Sequence, residues 1–514
     1  MLKKNLISNF VGQGLAGTLH LIFIPVYLDL FGISAFGLIG IFNLALSWLA
    51  IFDFGISQTI TRSMSAITSN NNKEMIHAAL RTKAKAEKIT FVFGVLLAVT
   101  AYASASLIAS EWIPKSEIEN RTIENCIKII GFIVGLRVLE NPFRATLLGL
   151  QYQLQYNAIN VCGVLLRGGG AILIALLFNK SITFFFAWNL LASTLILCCF
   201  WISAKNSLSN LNLKQRGQSK FDEHGLNLKQ KDFALGVFTI TCLALILTQL
   251  DRLLLSKTLS LQEFGQFTVA ATAAAVIFTL CAPISTAFFP QLSAAYTNNN
   301  QPEFAYKLRL SRQLVTVVSS ACAITMCFFP YQILNAWTGD QSVASNAWPL
   351  LAIIAFGNLL NSLTLMPVQA LLAQGKTKGW ILVLAIGIII YAPLLIHLVP
   401  IYGAIAAALL WSSLNLFIVY PGSILTIRRS NFKSSSDLNL EANYNSIFLL
   451  IVSSALIKLI FNVAIHLNQP SRIIDAAVAL ACFLLLAGIG ILTAPLLRKK
   501  AHSIVARPAR SDNI

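Results

Sequence analysis

Charged and amide side chains recur at helical spacing inside stretches that are otherwise apolar. Three of four such sets are Arg137, Glu140 and Arg144 at i, i+3, i+7; Asn157, Asn160 and Arg167 at i, i+3, i+10; and Asn358, Asn361 and Gln369 at i, i+3, i+11. Each spacing places its members on one helix face. Guanidinium groups bind phosphate through paired hydrogen bonds, so the arginines suit an anionic ligand.

These stripes also have a structural interpretation. Arg137 and Glu140 could pair only to hold helices together, and Arg144 could extend to the nearer membrane surface. Arg167 fits that interpretation least well. It lies deep in its apolar stretch, has no acidic residue nearby along the chain, and is followed by the three glycines of 168–170.

Further titratable residues stand in apolar surroundings. Asp53 lies between Phe52 and Phe54 and could be a proton carrier or a paired structural acid. His20 suits proton coupling, although a satisfied core histidine is the alternative. The adjacent Asp251 and Arg252 could form a gate or a structural pair that neutralises itself.

The elements that hold these residues are predicted to cross a membrane. Of the 514 residues, 56% are hydrophobic and 11% are charged, and the mean hydropathy is +0.71. Soluble domains average about 25% charged residues. A bilayer requires roughly 20 apolar residues per helix, and the chain has fourteen such stretches. They lie at 8–31, 35–61, 89–110, 125–149, 154–178, 182–203, 233–256, 264–296, 313–337, 347–373, 379–398, 401–426, 444–466 and 473–497.

The basic residues indicate the orientation of these spans. The net charge of +18 comes from 38 Lys and Arg against 20 Asp and Glu, and most of the bases lie in alternate loops. Cytoplasmic loops carry such an excess, which predicts that both termini are cytoplasmic. The basic residues therefore report topology, and no nucleic-acid partner is predicted.

The spans are predicted to form an all-α, polytopic membrane protein. Two self-alignments of the chain, at offsets of 228 and 225, indicate two six-helix lobes in parallel repeat. The predicted parts are an N-lobe at 1–203, a cytoplasmic linker at 204–232, a C-lobe at 233–430, two extra helices at 444–497 and a basic cytoplasmic tail at 498–514.

Other functional motifs are incomplete. The nine cysteines form no CxxC pair, and the GxGxxG match at 12–17 has no room for a preceding strand. Ala370 stands where a P-loop ending at 375–377 requires glycine. No catalytic residue, metal or cofactor is predicted.

Several short stretches carry a family resemblance. They are Asn9-Phe-Val-Gly-Gln-Gly, Phe23-Ile-Pro-Val-Tyr, Ile51-Phe-Asp-Phe-Gly-Ile-Ser-Gln, Leu148-Gly-Leu-Gln-Tyr-Gln, Gln249-Leu-Asp-Arg, Phe289-Pro-Gln-Leu and Gln374-Gly-Lys-Thr. With these, the chain resembles O-antigen flippases of the polysaccharide transporter family, in the multidrug/oligosaccharidyl-lipid/polysaccharide exporter superfamily. The resemblance weakens after the twelfth span.

The resemblance implies a carrier in the bacterial inner membrane. Such a carrier would move an undecaprenyl-pyrophosphate-linked oligosaccharide from the cytoplasmic to the periplasmic leaflet by alternating access, coupled to H⁺ or Na⁺. Its other partners would be membrane lipids and polysaccharide assembly proteins. The expected roles are pyrophosphate binding by Arg137, Arg144 and Arg167; sugar binding by Asn157, Asn160, Asn358, Asn361 and Gln369; and ion coupling by Asp53, Glu140 and His20.

Three alternatives remain open. The two extra spans resemble those of lipid II flippases, in which the additional helices frame a groove for the lipid tail. A multidrug cation antiporter would need carboxylates in its lumen, whereas the stripes here are mostly arginine and amide. A membrane saccharide polymerase or ligase would need an external catalytic surface, and the predicted external loops are short.

Overall fold

The structure is a computed structural model that describes residues 2–52, 56–69, 73–113, 116–178, 180–212, 228–429 and 472–494. Within these ranges it is helical, without strands, which confirms the predicted fold class. The helices are α1 (Leu2–Phe52), α2 (Ile56–Ser69), α3 (Lys73–Leu107), α4 (Asn120–Gly149), α5 (Gln153–Val164), α6 (Gly170–Leu177), α7 (Ile182–Asn212), α8 (Leu228–Thr258), α9 (Leu261–Ala274), α10 (Val276–Thr297), α11 (Gln301–Phe328), α12 (Pro330–Thr338), α13 (Gln341–Ala373), α14 (Lys378–Arg429) and α15 (Arg472–Thr493). Two π-helical turns occur at Ile108–Trp112 and Leu165–Gly169.

Ten helices of the described part are long and apolar enough to cross a membrane. The 30-residue α4, which carries the Arg137–Arg144 stripe, is not among them. Asp53, the predicted span at 444–466 and the tail at 498–514 lie outside the described residues. The total of fourteen spans therefore stays a prediction.

Two of the long helices each contain two predicted spans, joined at a glycine. In α1 the break falls at Gly32, with a φ of 78°, and in α14 it falls at Gly403, with a φ of 60°. Only glycine adopts this left-handed region readily. The predicted breaks near residues 32 and 400 are thus kinks between consecutive helices.

The chain divides into two compact units. The first unit is Met1–Leu228 with Arg252–Gly265, and the second unit is Lys229–Asp251 with Gln266–Ile514. In the first unit, α4 packs against α2, α3 and α7, and α1 packs against α5. In the second unit, α13 packs against α10, α11, α12 and α14, and α15 packs against α11 and α12. The predicted domain boundaries stay predictions.

A reciprocal helix contact in the first unit links positions that the self-alignment pairs. A Cβ atom at Gly37 would collide with the carbonyl oxygen of Leu261, and one at Gly265 would collide with that of Ile33. The offset between Ile33 and Leu261 is the same as that between the two glycines. This pseudo-symmetric contact is what a repeat with an offset of 228 would produce.

Candidate functional site

The stripe on α4 forms an ionic cluster around one carboxylate. Glu140 is fully buried, and its Oε2 lies 3.7 Å from Arg137 Nη1 and 3.8 Å from Arg144 Nη1. The spacings i, i+3 and i, i+4 bring such side chains together on one helix. The predicted pairing of Arg137 with Glu140 is therefore present, and it is one part of a larger arrangement.

Arg167 joins the cluster from a different helix. Its Nη2 donates a hydrogen bond to Glu140 Oε1 at 2.6 Å, the shortest of the three arginine contacts. Arg167 sits in the π-helical turn between α5 and α6, an irregularity common at functional sites. We call Arg137, Glu140, Arg144 and Arg167 the Glu140 cluster.

The Glu140 cluster has an excess of positive charge. One carboxylate faces three guanidinium groups, and the side chain of Arg167 is 10% exposed. The Nε atoms of Arg137 and Arg167 are buried and find no hydrogen-bond acceptor within the described part of the chain. Because buried donors are costly when unsatisfied, these two groups are suited to an added anion.

A cavity of about 210 Å³ opens beside the cluster, within the first unit. Arg137 and Arg167 provide its charged wall. Its other polar lining residues are His20, Asn43, Asn160 and Asn189, and its aromatic ones are Phe23, Tyr27, Phe42 and Phe185. Drug-sized ligands occupy about 300–1,000 Å³, so this cavity suits a small anionic group better than a whole oligosaccharide.

The aromatic wall is held by edge-to-face contacts. Tyr27 and Phe185 have ring centroids 5.2 Å apart at 80°, and Phe185 and Phe186 are 5.2 Å apart at 86°. Such pairs prefer this geometry. Gly168, in the π-helical turn, leaves room for Phe23, because a Cβ there would collide with the phenyl ring. The wall next to Arg167 is therefore tightly packed.

Arg144 belongs to the cluster but not to the wall of this cavity. Its Nη2 donates to Tyr156 Oη at 3.1 Å, and its guanidinium lies 5.5 Å and 5.6 Å from the ring centroids of Tyr156 and Phe200. Cation–π contacts of this kind stabilise a guanidinium in an apolar setting. The geometry gives Arg144 a packing role, and its predicted phosphate contact stays a prediction.

The structure separates the other predicted site residues. His20 and Asn160 line the cavity, whereas Asn157 is buried against Gly12 of α1. Asp251 is buried in the second unit, and Arg252 falls in the first unit.

The remaining predicted sugar ligands lie in a hydrogen-bond network of the second unit. Asn358 Nδ2 donates to the Ala274 carbonyl at 3.0 Å, and Trp411 Nε1 donates to Asn358 Oδ1 at 2.9 Å. Asn361 Nδ2 donates to Asn415 Oδ1 at 2.6 Å. We call Asn358, Asn361, Trp411 and Asn415 the Asn358 network. These contacts hold helices together, while Gln369 lies half-buried on α13.

Two lining residues are not marked by any sequence pattern. Asn43 of α1 and Asn189 of α7 face the same cavity as Arg137 and Arg167. Each is an isolated amide in its span, so neither forms a stripe. The only indication of their position in the sequence is that a polar residue inside a membrane helix tends to face a cavity or another helix.

The apolar helices of the described part and this polar cavity fit a multi-pass membrane protein. The chain matches the Polysaccharide biosynthesis protein family over residues 2–295 and the MatE family over residues 237–396. Since the first match covers more than half of the sequence, the chain belongs to the Polysaccharide biosynthesis protein family.

Relatives and solved structures agree with this assignment. A proposed O-antigen transporter of Shigella flexneri is 21% identical over 390 residues, which cover 74% of this chain and 87% of that protein. The lipid II flippase MurJ, in an inward closed conformation, superposes with a TM-score of 0.64 at 14% identity, covering 98% of this chain and 99% of the other. A multidrug resistance MATE family transporter of the MOP superfamily gives 0.57 at 13% identity, covering 82% and 94%. The family match and the Shigella flexneri relative together support a membrane transporter, and the solved structures share the fold of this chain.

Proposed function

We propose that this protein flips an undecaprenyl-pyrophosphate-linked oligosaccharide, such as an O-antigen repeat unit, across the bacterial inner membrane. Transport runs from the cytoplasmic to the periplasmic leaflet by alternating access, with both termini in the cytoplasm. The family match and the Shigella flexneri relative support the substrate class. The alternation of basic loops along the sequence supports the orientation.

The observation that carries this proposal is the positive cavity wall formed by Arg137 and Arg167. Both side chains line the cavity, and each has a buried Nε donor with no acceptor in the described ranges. A pyrophosphate group supplies several acceptor oxygens and negative charge, which is what this wall lacks. The saccharide and the lipid would extend beyond the cavity, because its volume is small.

Glu140 supplies a route to ion coupling. Its Oε1 accepts a hydrogen bond from Arg167 at 2.6 Å. A bound phosphate competes with the carboxylate for the same guanidinium, and a proton taken up by Glu140 would favour the phosphate. His20, at the wall of the same cavity, is the second candidate for this proton.

The test is flipping of a fluorescent undecaprenyl-pyrophosphate-linked oligosaccharide by purified protein in proteoliposomes. Arg167→Gln removes the charge and keeps a polar amide on a shorter side chain. Since a hydrogen bond to a charged group contributes about 1.5–3 kcal/mol, we expect the initial rate below saturation to fall roughly 10- to 100-fold.

The matched control is Arg121→Gln, which removes one arginine from the exposed first turn of α4. It changes the net charge equally and is expected to flip at the wild-type rate. Wild-type flipping by a correctly folded Arg167→Gln variant would refute the proposed site.

A lipid II-type flippase is the second candidate, because the MurJ structure matches 98% of this chain whereas the MATE structure matches 82%. Offering lipid II in the same vesicles separates the two substrates. A cationic drug is the third substrate to be offered in this assay, and its transport would favour a multidrug antiporter. The positive wall beside Arg167 opposes that last outcome.

A further inference from the structure

The π-helical turn that carries Arg167 has a hydrogen bond to a neighbouring helix at its centre. In an α-helix, the Gly170 N–H would donate to the carbonyl of Leu166, four residues earlier. Here it donates to the carbonyl of Leu165, five residues earlier. The Leu166 carbonyl instead accepts a hydrogen bond from Trp188 Nε1 of α7 at 2.7 Å. The indole thus replaces a donor that the π-helical turn displaces.

Gly170 makes this hydrogen bond sterically possible. A Cβ atom at residue 170 would lie 2.7 Å from Trp188 Cζ2, and closer still to Nε1. Any larger residue would push the indole away from the Leu166 carbonyl. Gly170 and Trp188 therefore work as a pair, one by leaving space and the other by filling it.

The π-helical turn determines where the Arg167 side chain points. Successive residues of a helix are rotated by about 100°, so the extra residue of a π-helical turn changes the direction of the side chains around it. In the observed geometry, Arg167 Nη1 runs over Gly163 and Nη2 reaches Glu140 Oε1. Reversion to α-helical geometry would rotate the guanidinium away from Glu140 and the cavity.

We infer that Trp188 is a positioning residue for Arg167, and that its indole N–H thereby sets the affinity of the cavity for phosphate groups. Trp188 is not among the residues that line the cavity, so it acts indirectly, through the π-helical turn that carries Arg167. The inference rests on the proposed function, since it assigns a consequence to the orientation of a phosphate-binding arginine.

The experiment is a double-mutant cycle on the full-length protein in detergent, with inorganic pyrophosphate as the probe. The variants are Trp188→Phe, Arg167→Gln and the two combined, and the dissociation constant is measured for each. Trp188→Phe keeps an aromatic ring and removes the donor. Because one such hydrogen bond contributes about 1 kcal/mol, we expect a roughly fivefold weaker affinity in the wild-type background.

In the Arg167→Gln background, the same substitution is expected to change the affinity less than about twofold, because coupled residues are non-additive. Gly170→Ala displaces the same indole and should repeat this pattern, which provides a second variant if Trp188→Phe folds poorly. Trp201→Phe is the matched control. It lies on the same helix, its ring is exposed beneath Lys205, and it should leave the affinity unchanged.

The outcomes separate the two claims. If Arg167→Gln weakens pyrophosphate binding but Trp188→Phe and Gly170→Ala do not, the positioning role is wrong and the proposed site stands. Equal losses from Trp188→Phe in both backgrounds would assign it a general structural role and would also overturn the inference. If Arg167→Gln itself has no effect, the site and the inference fail together.

Discussion

The two units bury polar side chains in their helix contacts, but with opposite chemistry. In the first unit the Glu140 cluster is ionic and lies beside a cavity. In the second unit the Asn358 network is neutral and its amides bond to other side chains and to backbone carbonyls. In the self-alignment at an offset of 225 residues, Pro142 corresponds to Pro367 and Glu140 corresponds to Leu365. The equivalent position in the second unit is thus uncharged.

This difference bears on why the charges are present. A buried ion pair is weak evidence for stability, because desolvation offsets much of the attraction. The second unit packs its equivalent helix, α13, with Ser362, Leu365 and Gln369 at the positions that correspond to Arg137, Glu140 and Arg144. Since the scaffold does not require charge there, the arginines of the first unit are better explained by a ligand.

The largest expected effect on stability comes from Glu140→Gln. It leaves three arginines without their carboxylate, and removal of one partner from a buried ion pair costs about 3–5 kcal/mol. The measurement is thermal unfolding of the purified variant in detergent. Glu124→Gln is the control on the same helix, since its pair with Lys128 is about 30% exposed and should contribute only about 0.3–0.5 kcal/mol. Equal destabilisation by both variants would contradict the central position of Glu140.

A smaller effect is expected from Trp411→Phe in the second unit. The change leaves the buried Asn358 Oδ1 without the donor that lies 2.9 Å away, at a cost of about 1–3 kcal/mol. Unfolding should occur at a lower temperature while the initial flipping rate stays within about twofold of wild type, as expected for one hydrogen bond outside the binding site. Trp48→Phe serves as the comparison, because the buried Trp48 Nε1 has no acceptor among the described residues. A large loss of flipping with unchanged stability would make the Asn358 network part of the substrate site.

The smallest effect is expected from Tyr156→Phe. The ring beneath Arg144 stays and only the hydroxyl acceptor 3.1 Å from Nη2 is lost. A destabilisation of about 0.5–1.5 kcal/mol should follow, with little change in pyrophosphate affinity. Tyr156→Leu, which also removes the cation–π contact, should cost more. If Tyr156→Phe instead weakens pyrophosphate binding strongly, Arg144 contacts the ligand as the sequence predicted.

The sequence was most informative about features that depend only on residues within one helix. Apolar length is sufficient to predict a membrane helix, and Gly32 and Gly403 mark the kinks because other residues avoid their backbone angles. The meeting of Arg137 and Glu140 also follows from spacing alone. These features depend on short-range geometry.

The geometry of the site depends on contacts between helices. The spacing of residues along one helix does not specify these contacts. The ion pair of Arg167 with Glu140 joins residues on different helices. The hydrogen bond from Trp188 to a carbonyl of the π-helical turn likewise joins residues on different helices. The amides at 358 and 361 resembled a ligand stripe because a stripe that packs and one that binds have the same periodicity. Their hydrogen bonds to the Ala274 carbonyl and to Asn415 show the packing role, and their sugar contacts stay a prediction.

The most direct test of the central claim compares uncharged substitutions of polar side chains in the two units. Arg137→Gln/Arg167→Gln alters the first unit, and Ser362→Ala/Gln369→Ala alters the second unit at the positions paired with Arg137 and Arg144. Flipping of the undecaprenyl-pyrophosphate-linked oligosaccharide is measured for both in proteoliposomes. We expect the first pair to slow flipping by at least about 100-fold, from two lost charged contacts, and the second pair to change it less than about threefold. Equal losses from both pairs, or a larger loss from the second pair, would contradict a phosphate site built on the charges of the first unit.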